Sequence, residues 1–216
     1  MLGVAILIIV MSVMNGFRVD LTDKIIGLNP HIIVQFNNVN EINKIKKKIS
    51  KAYDDIDIVE STSGEGIILT NNKAKGILIK GISKKDKSQS FLNKEITKGN
   101  LNDFSAGKIM IGGELAYNLN LKVGDKINIV SSSFVDTPFG SVPKQDDYKI
   151  AGFFNSGFYE FDQNLIYLEL DDSRSILNVE KDNVDLELFL PDPFLAEKYK
   201  KEIENLSKNI FVSTWS

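Results

Sequence analysis

The sequence predicts an α+β fold in which both ends of the chain build one layer around an inserted, mainly β middle. Three observations predict it. A strand pattern followed by a helix pattern occurs near each end, at 31–53 and at 184–206. The stretch between them alternates apolar and polar residues in short runs. The first fourteen residues are almost wholly apolar. We therefore expect three parts: 1–28 as a helix, 29–83 with 184–216 as the α+β layer, and 84–183 as the insertion.

Composition excludes several classes of protein. The 216 residues carry 26 basic and 29 acidic side chains, a net charge of -3, which gives no electrostatic footprint for nucleic acid. The chain has no cysteine, so disulfides, thiolate zinc sites and cysteine nucleophiles are ruled out. The apolar content of 43% is that of a folded, globular protein.

The apolar start, residues 2–14, contains no charge. As a helix it would be roughly 20 Å long, against a hydrocarbon core of about 30 Å. It lacks the basic stretch and cleavage site of a signal peptide. A buried core helix is one interpretation; we favour the second half of a transmembrane helix. Its membrane-facing residues would be Ile6, Ile9, Val10, Val13, Met14 and Phe17.

The same helix is expected to continue as a stalk. Phe17, Leu21, Ile25 and Leu28 are spaced by four, four and three, which is one stripe of a helix. Asn29 and Pro30 then supply stop signals, so the helix should end near residue 28.

The α+β layer follows from two matching units. The first has a strand at 31–36, a helix at 41–53 and strands at 56–60, 66–70 and 74–82. The second has a strand at 184–190, a helix and a strand at 210–212. The predicted buried stripes are Ile42, Ile45, Ile49 and Tyr53 on the first helix and Leu195, Tyr199, Ile203 and Leu206 on the second.

The insertion is predicted to be mostly strands, at 108–111, 148–154 and 165–170, with short helices at 112–116 and 171–177. Within 121–130, a turn at Gly124-Asp125 is predicted to lead into a further alternating strand. The connection from 130 to 148 is much longer than the two to five residues that a hairpin needs. We therefore expect a long loop there.

No catalytic constellation is visible in the sequence. No Walker-type phosphate loop occurs, and adjacent carboxylates such as Asp146 and Asp147 are typical of turns. Gly112 and Gly113 could bind an anion or form a close strand–helix turn, and we favour the turn. The single histidine, His31, is expected to be structural. We predict no enzyme activity, cofactor or metal site.

The loop at 131–143 is apolar where a loop should be polar. Pro138 and Pro143 favour extended backbone around them, and Gly140 permits a turn between them. Exposed aromatic side chains on such a segment would offer a partner a preorganised surface. The alternative is that Phe134 and Phe139 fold back onto their own domain.

Several motifs resemble one family. Residues 1–18, with the block Ser12-Val-Met-Asn-Gly-Phe17, resemble the end of the first membrane helix of the lipoprotein-releasing ABC permeases, the LolC/LolE family. The resemblance continues through 21–30, 112–116, 123–126, the loop Thr137-Pro-Phe-Gly-Ser-Val-Pro143, 157–162 and Thr214-Trp215. The form of that loop resembles LolC more than LolE, and a single hybrid subunit stays open.

This resemblance implies a permease subunit of the inner membrane of a Gram-negative bacterium, with most of the chain in the periplasm. It implies a porter-like α+β layer with a sabre-like insertion. The implied partners are a lipoprotein substrate facing the first helix, a second permease subunit and a cytoplasmic subunit that hydrolyses ATP. A further implied partner is a LolA-like carrier, which a protruding loop called the hook would capture. The residues of this chain that match the hook are Phe134, Val135, Thr137, Pro138, Phe139, Gly140, Val142 and Pro143.

Two other functions remain open. A MacB-type permease would export a peptide or drug, but gives no reason for the proline-bounded loop. A membrane-tethered sensor or scaffold would have no transport role.

Overall fold

The computed structural model describes residues 2–36, 41–70, 73–83, 92, 95–138, 140–180 and 184–215. The helices there are α1 (Leu2–Leu28), α2 (Ile42–Ala52), α3 (Gly113–Leu119), α4 (Tyr159–Asp162), α5 (Leu170–Leu177) and α6 (Ala196–Glu204). The strands are β1 (Ile32–Phe36), β2 (Asp57–Leu69), β3 (Ala74–Ile82), β4 (Ile96–Gly99), β5 (Lys108–Gly112), β6 (Lys126–Thr137), β7 (Gly140–Phe154), β8 (Leu165–Glu169), β9 (Asp185–Phe189) and β10 (Ile210–Thr214). The mixed α and β composition confirms the predicted fold class.

Both ends of the chain build one layer. The strands β10, β1, β9 and β2 are neighbours and antiparallel, so β1 from the start of the layer lies between two strands from the end of the chain. The stripe Ile42, Ile45 and Ile49 on α2 is buried with Ile203 of α6 in the core of this layer. These apolar helix faces exclude water from one face of the sheet.

The predicted stripe on α6 is wrong at Leu195, which is 41% exposed. This residue belongs to a 3-10 turn, Pro193–Leu195, that precedes the α-helix. Because a 3-10 turn has three residues per turn, it shifts the phase of the stripe, and the buried position is Ala196 instead.

The strands of the insertion close into a ring together with β2 and β3. The order β2, β3, β8, β5, β7 and β6 returns to β2, which pairs with β9 through 57–61 and with β6 through 66–69. Isoleucines from these strands fill the interior. The predicted strands at 56–60 and 66–70 are therefore one strand. Residues 61–69 pair continuously with β3, so the backbone between the two predicted strands stays extended.

Gly112, at the junction of β5 and α3, forms the close strand–helix turn that the sequence predicts. A Cβ built on Gly112 would lie 2.0 Å from the carbonyl oxygen of Asp162, so only glycine allows this approach.

His31 is buried, and its Nδ1 accepts a hydrogen bond from the backbone N–H of Leu190 at 2.8 Å, which supports the structural interpretation. The strand β6 starts at Lys126, directly after the turn that the sequence predicts at Gly124-Asp125. The short strand β4 was not predicted.

Helix α1 is continuous to Leu28, where the sequence predicts its end. Its side chains are described at 3, 4 and 6–17, and the six predicted membrane-facing residues are all exposed, as are their neighbours around the helix. The stalk stripe beyond Phe17 lies outside the described side chains. Where side chains are described, no helix offers an apolar stretch long enough to cross a membrane.

A chain that begins at Asn29 is expected to unfold cooperatively, because the described side chains of α1 are exposed and the core clusters begin at Ile32. Thermal unfolding followed by circular dichroism measures this. A molten product in spite of good expression would show that the apolar helix belongs to the core.

Candidate functional site

The segment 131–143 is a two-stranded β-ribbon, which we call the arm. Its strands pair from Phe134 with Pro143 to Thr137 with Gly140, so the long loop that the sequence predicts is a paired ribbon instead. The strands continue because Phe134, Val135 and Val142 favour extended backbone on both sides of the tip. Pro143 is tolerated because the ribbon has open edges beyond the ring.

Both faces of the arm carry an apolar pair. Directly paired residues share a face, so Phe134 lies beside Pro143 on one face and Val135 beside Val142 on the other. Phe134 is 57% exposed, Val142 48% and Val135 37%. The ribbon therefore presents apolar surface to solvent on both sides, which is unusual unless a partner covers it.

The base of the arm is fixed to the end of α5. A register shift between Val130 and Phe134 separates the arm from the ring. The Ser133 hydroxyl donates to the carbonyl oxygen of Leu177 at 2.5 Å, and the side-chain amide of Asn178 donates to that of Phe134 at 3.4 Å. Asn178 adopts a left-handed conformation, φ 54°, as the cap of α5. The arm is thus attached at its base while its end projects.

The tip is a tight turn. The Thr137 hydroxyl donates to the carbonyl oxygen of Gly140 at 2.7 Å. Gly140 has φ +123°, a conformation that a side chain would disfavour. Pro138 is exposed beside it. Phe139, one of the predicted hook residues, lies outside the described residues.

Charge is sparse on the arm. Its one ionisable side chain is the exposed Asp136. In the strands below, the Asn128 side-chain amide donates to Asp147 at 2.8 Å. Burial, with a smaller contribution from Asp146, raises the pKa of the Tyr148 phenol. A partner would meet mainly apolar surface and open ribbon edges.

The structure brings seven of the eight predicted hook residues together in one ribbon; the eighth is Phe139. Sequence reasoning missed Ser133 and Asn178, which position the base. Asn178 had a usable signal, because asparagine is common in the left-handed position after a helix. No sequence signal pointed to Ser133, because the carbonyl group that accepts its hydrogen bond is 44 residues away in the chain.

Comparison with known proteins shows the family to which the chain belongs. The family model of the MacB-like periplasmic core domain matches residues 1–206. The chain is 27% identical over 204 residues to the lipoprotein-releasing system transmembrane protein LolC of Neisseria meningitidis, covering 89% of this chain and 48% of that protein. It is 25% identical to the corresponding LolE of Haemophilus influenzae, covering 99% and 54%. The chain thus spans about half the length of the curated relatives it matches.

Two solved structures share the fold. The periplasmic region of MacB from Actinobacillus actinomycetemcomitans has a TM-score of 0.52 at 12% identity, covering 87% of this chain and 90% of that one. The extracellular domain of the transporter YknZ from Gram-positive bacteria has a TM-score of 0.52 at 14% identity, covering 85% and 99%. At such identities the likeness concerns the fold alone.

Proposed function

The chain belongs to the family of MacB-like periplasmic core domains, and on that premise we propose that it is the periplasmic part of a lipoprotein-releasing ABC permease subunit. The names of its curated relatives, LolC and LolE, support this assignment over other transporters of the same fold. The observation that carries the proposal is the projecting arm with apolar residues exposed on both faces.

The arm is the docking element for a LolA-like periplasmic lipoprotein carrier. Its base is held by Ser133 and Asn178, so little conformational freedom is lost when it docks. Phe134 and the valine pair would become buried in the complex, and aromatic residues at the centre of an interface supply much of its affinity. The open ribbon edges could also pair with a strand of the carrier.

The other parts have complementary roles in this proposal. Helix α1 would be the end of the first membrane helix, which places the subunit in the inner membrane of a Gram-negative bacterium. A second permease subunit would complete the path of the lipoprotein. A separate cytoplasmic subunit would hydrolyse ATP, and this chain would transmit the resulting motion without catalysing a reaction.

Removing the aromatic side chains of the arm should weaken carrier binding. We expect Phe134→Ala and Phe139→Ala each to raise the Kd by about thirtyfold, roughly 2 kcal/mol, because each truncation removes apolar area buried in the complex. The free energy of unfolding should change by less than about 0.5 kcal/mol for Phe134, which is mostly exposed. Calorimetric titration with the purified carrier and a thermal melt measure the two quantities.

Phe211→Ala is the matched control, because Phe211 is 60% exposed on β10, outside the arm. It should bind the carrier like the parent chain. Parent-like binding by both arm variants, with lower melting temperatures, would show that the arm is merely packed and is not a docking element.

A MacB-type exporter is the second candidate, favoured by the shared fold with the MacB periplasmic region. It predicts no carrier affinity for the parent chain. A membrane-tethered sensor or scaffold also predicts no carrier affinity. A neighbouring ATPase gene would then favour the exporter over the sensor or scaffold.

A further inference from the structure

A cavity of about 410 Å³ lies on the face of the sheet opposite α2 and α6. Its floor crosses five neighbouring strands, from Ile33 on β1 to Leu78 on β3 and Leu165 on β8. Asn29 and Pro30, directly after α1, close one end. Phe154 and Phe161 stand at the other end. None of the arm residues that the structure describes lines this cavity, so it is a separate feature of the molecule.

Two charged side chains in the floor are engaged with each other. Lys80 Nζ lies 2.9 Å from Glu187 Oε2, while Glu187 Oε1 accepts a 2.7 Å hydrogen bond from the buried Ser61 hydroxyl. The phenol of the wall residue Tyr167 is uncharged at neutral pH, as tyrosine ordinarily is, and burial, with the charge of Glu187 second, raises its pKa further. What the floor offers a ligand is therefore mainly aliphatic and aromatic surface.

The size of the cavity suits one hydrocarbon chain. An apolar protein cavity of about 150 Å³ holds benzene, with six carbons, so 410 Å³ has room for roughly sixteen. It also falls within the usual 300–1,000 Å³ range of ligand pockets. A peptide would need partners for its amide groups, and the two charged side chains of the floor, Lys80 and Glu187, are already paired with each other.

We infer that this cavity binds a single acyl chain of a lipid whose head is neutral or cationic. The restriction on the head comes from the rim, where Glu65 and Glu95 line the cavity and disfavour an anionic group.

The inference rests on the walls of the cavity and not on the role of the arm. Carrier binding tests the arm, and lipid binding tests the cavity, so either can fail alone.

Photocrosslinking tests the cavity directly. The 216-residue chain is incubated with a monopalmitoyl glycerol whose acyl chain carries a diazirine, irradiated, and its labelled peptides are mapped by mass spectrometry. We expect labelling in the wall segments around Phe154 and Leu165. Leu78→Trp, which fills the floor, should reduce this labelling at least tenfold while labelling of the exposed α1 stays unchanged. Palmitate should compete at least tenfold less well than the neutral lipid.

Ile67→Trp is the matched control, since Ile67 and Leu78 are 44% and 43% exposed on the same sheet face but Ile67 does not line the cavity. It should label like the parent. If Leu78→Trp fails to fold, Ser63→Trp, at an exposed floor position, replaces it. Labelling confined to α1, or wall labelling that neither substitution reduces, overturns the inference.

Discussion

Lys80→Met should lower the free energy of unfolding by about 3–5 kcal/mol, the usual cost of leaving one partner of a buried ion pair without its counter-ion. The side chains of Lys80 and Glu187 are only 14% and 5% exposed, and their charged atoms are 2.9 Å apart. Without the ammonium group, the Glu187 carboxylate would keep only its hydrogen bond from Ser61 as a favourable contact among those described. Urea unfolding at neutral pH measures the loss.

The ion pair Lys46–Glu60 is the natural control, because its charged atoms are also 2.9 Å apart but its side chains are 29% and 26% exposed. Lys46→Met should cost only about 0–1 kcal/mol. The double variant Lys80→Met with Glu187→Leu should recover at least half of the loss, because no charge is then left buried. Equal effects of Lys80→Met and Lys46→Met would mean that water reaches the Lys80–Glu187 pair freely.

Ile203→Ala and Ile45→Ala should each cost roughly 2–5 kcal/mol, as other truncations of buried aliphatic side chains do. Both side chains are at most 1% exposed and belong to the same core cluster, under the sheet that joins the two ends of the chain. Each truncation leaves a cavity in addition to the lost burial of methyl groups. Thermal and urea unfolding of the purified variants measure the change.

Leu195→Ala is the matched control on the same helical segment, and the exposed position should change stability by less than about 0.5 kcal/mol. A loss at Leu195 equal to the loss at Ile203 would restore the stripe that the sequence predicted. Near-zero losses at both isoleucines would instead mean that the helices do not hold the layer together.

The strand pairing of the arm could not be predicted from the sequence. Phe134, Val135 and the prolines marked the segment as apolar and extended, but strand pairing within it depends on register. Register is decided by which residues meet across the ribbon. Because the register shifts between Val130 and Phe134, the alternation of apolar and polar residues along the sequence does not predict this pairing. The role of these residues in binding a carrier stays a prediction.

By itself the sequence determined the α+β class, the stripe Ile42, Ile45 and Ile49, the end of the first helix near Leu28 and the structural role of His31. These depend on local periodicity, helix stop signals and the chemistry of single residues. Only the tertiary structure decided that β2 is one strand shared by layer and ring, that Lys80 meets Glu187, and that a cavity forms beside Pro30. The reason is physical: each of these features joins residues distant in the chain, and long-range pairing depends on the register and closure of the whole sheet.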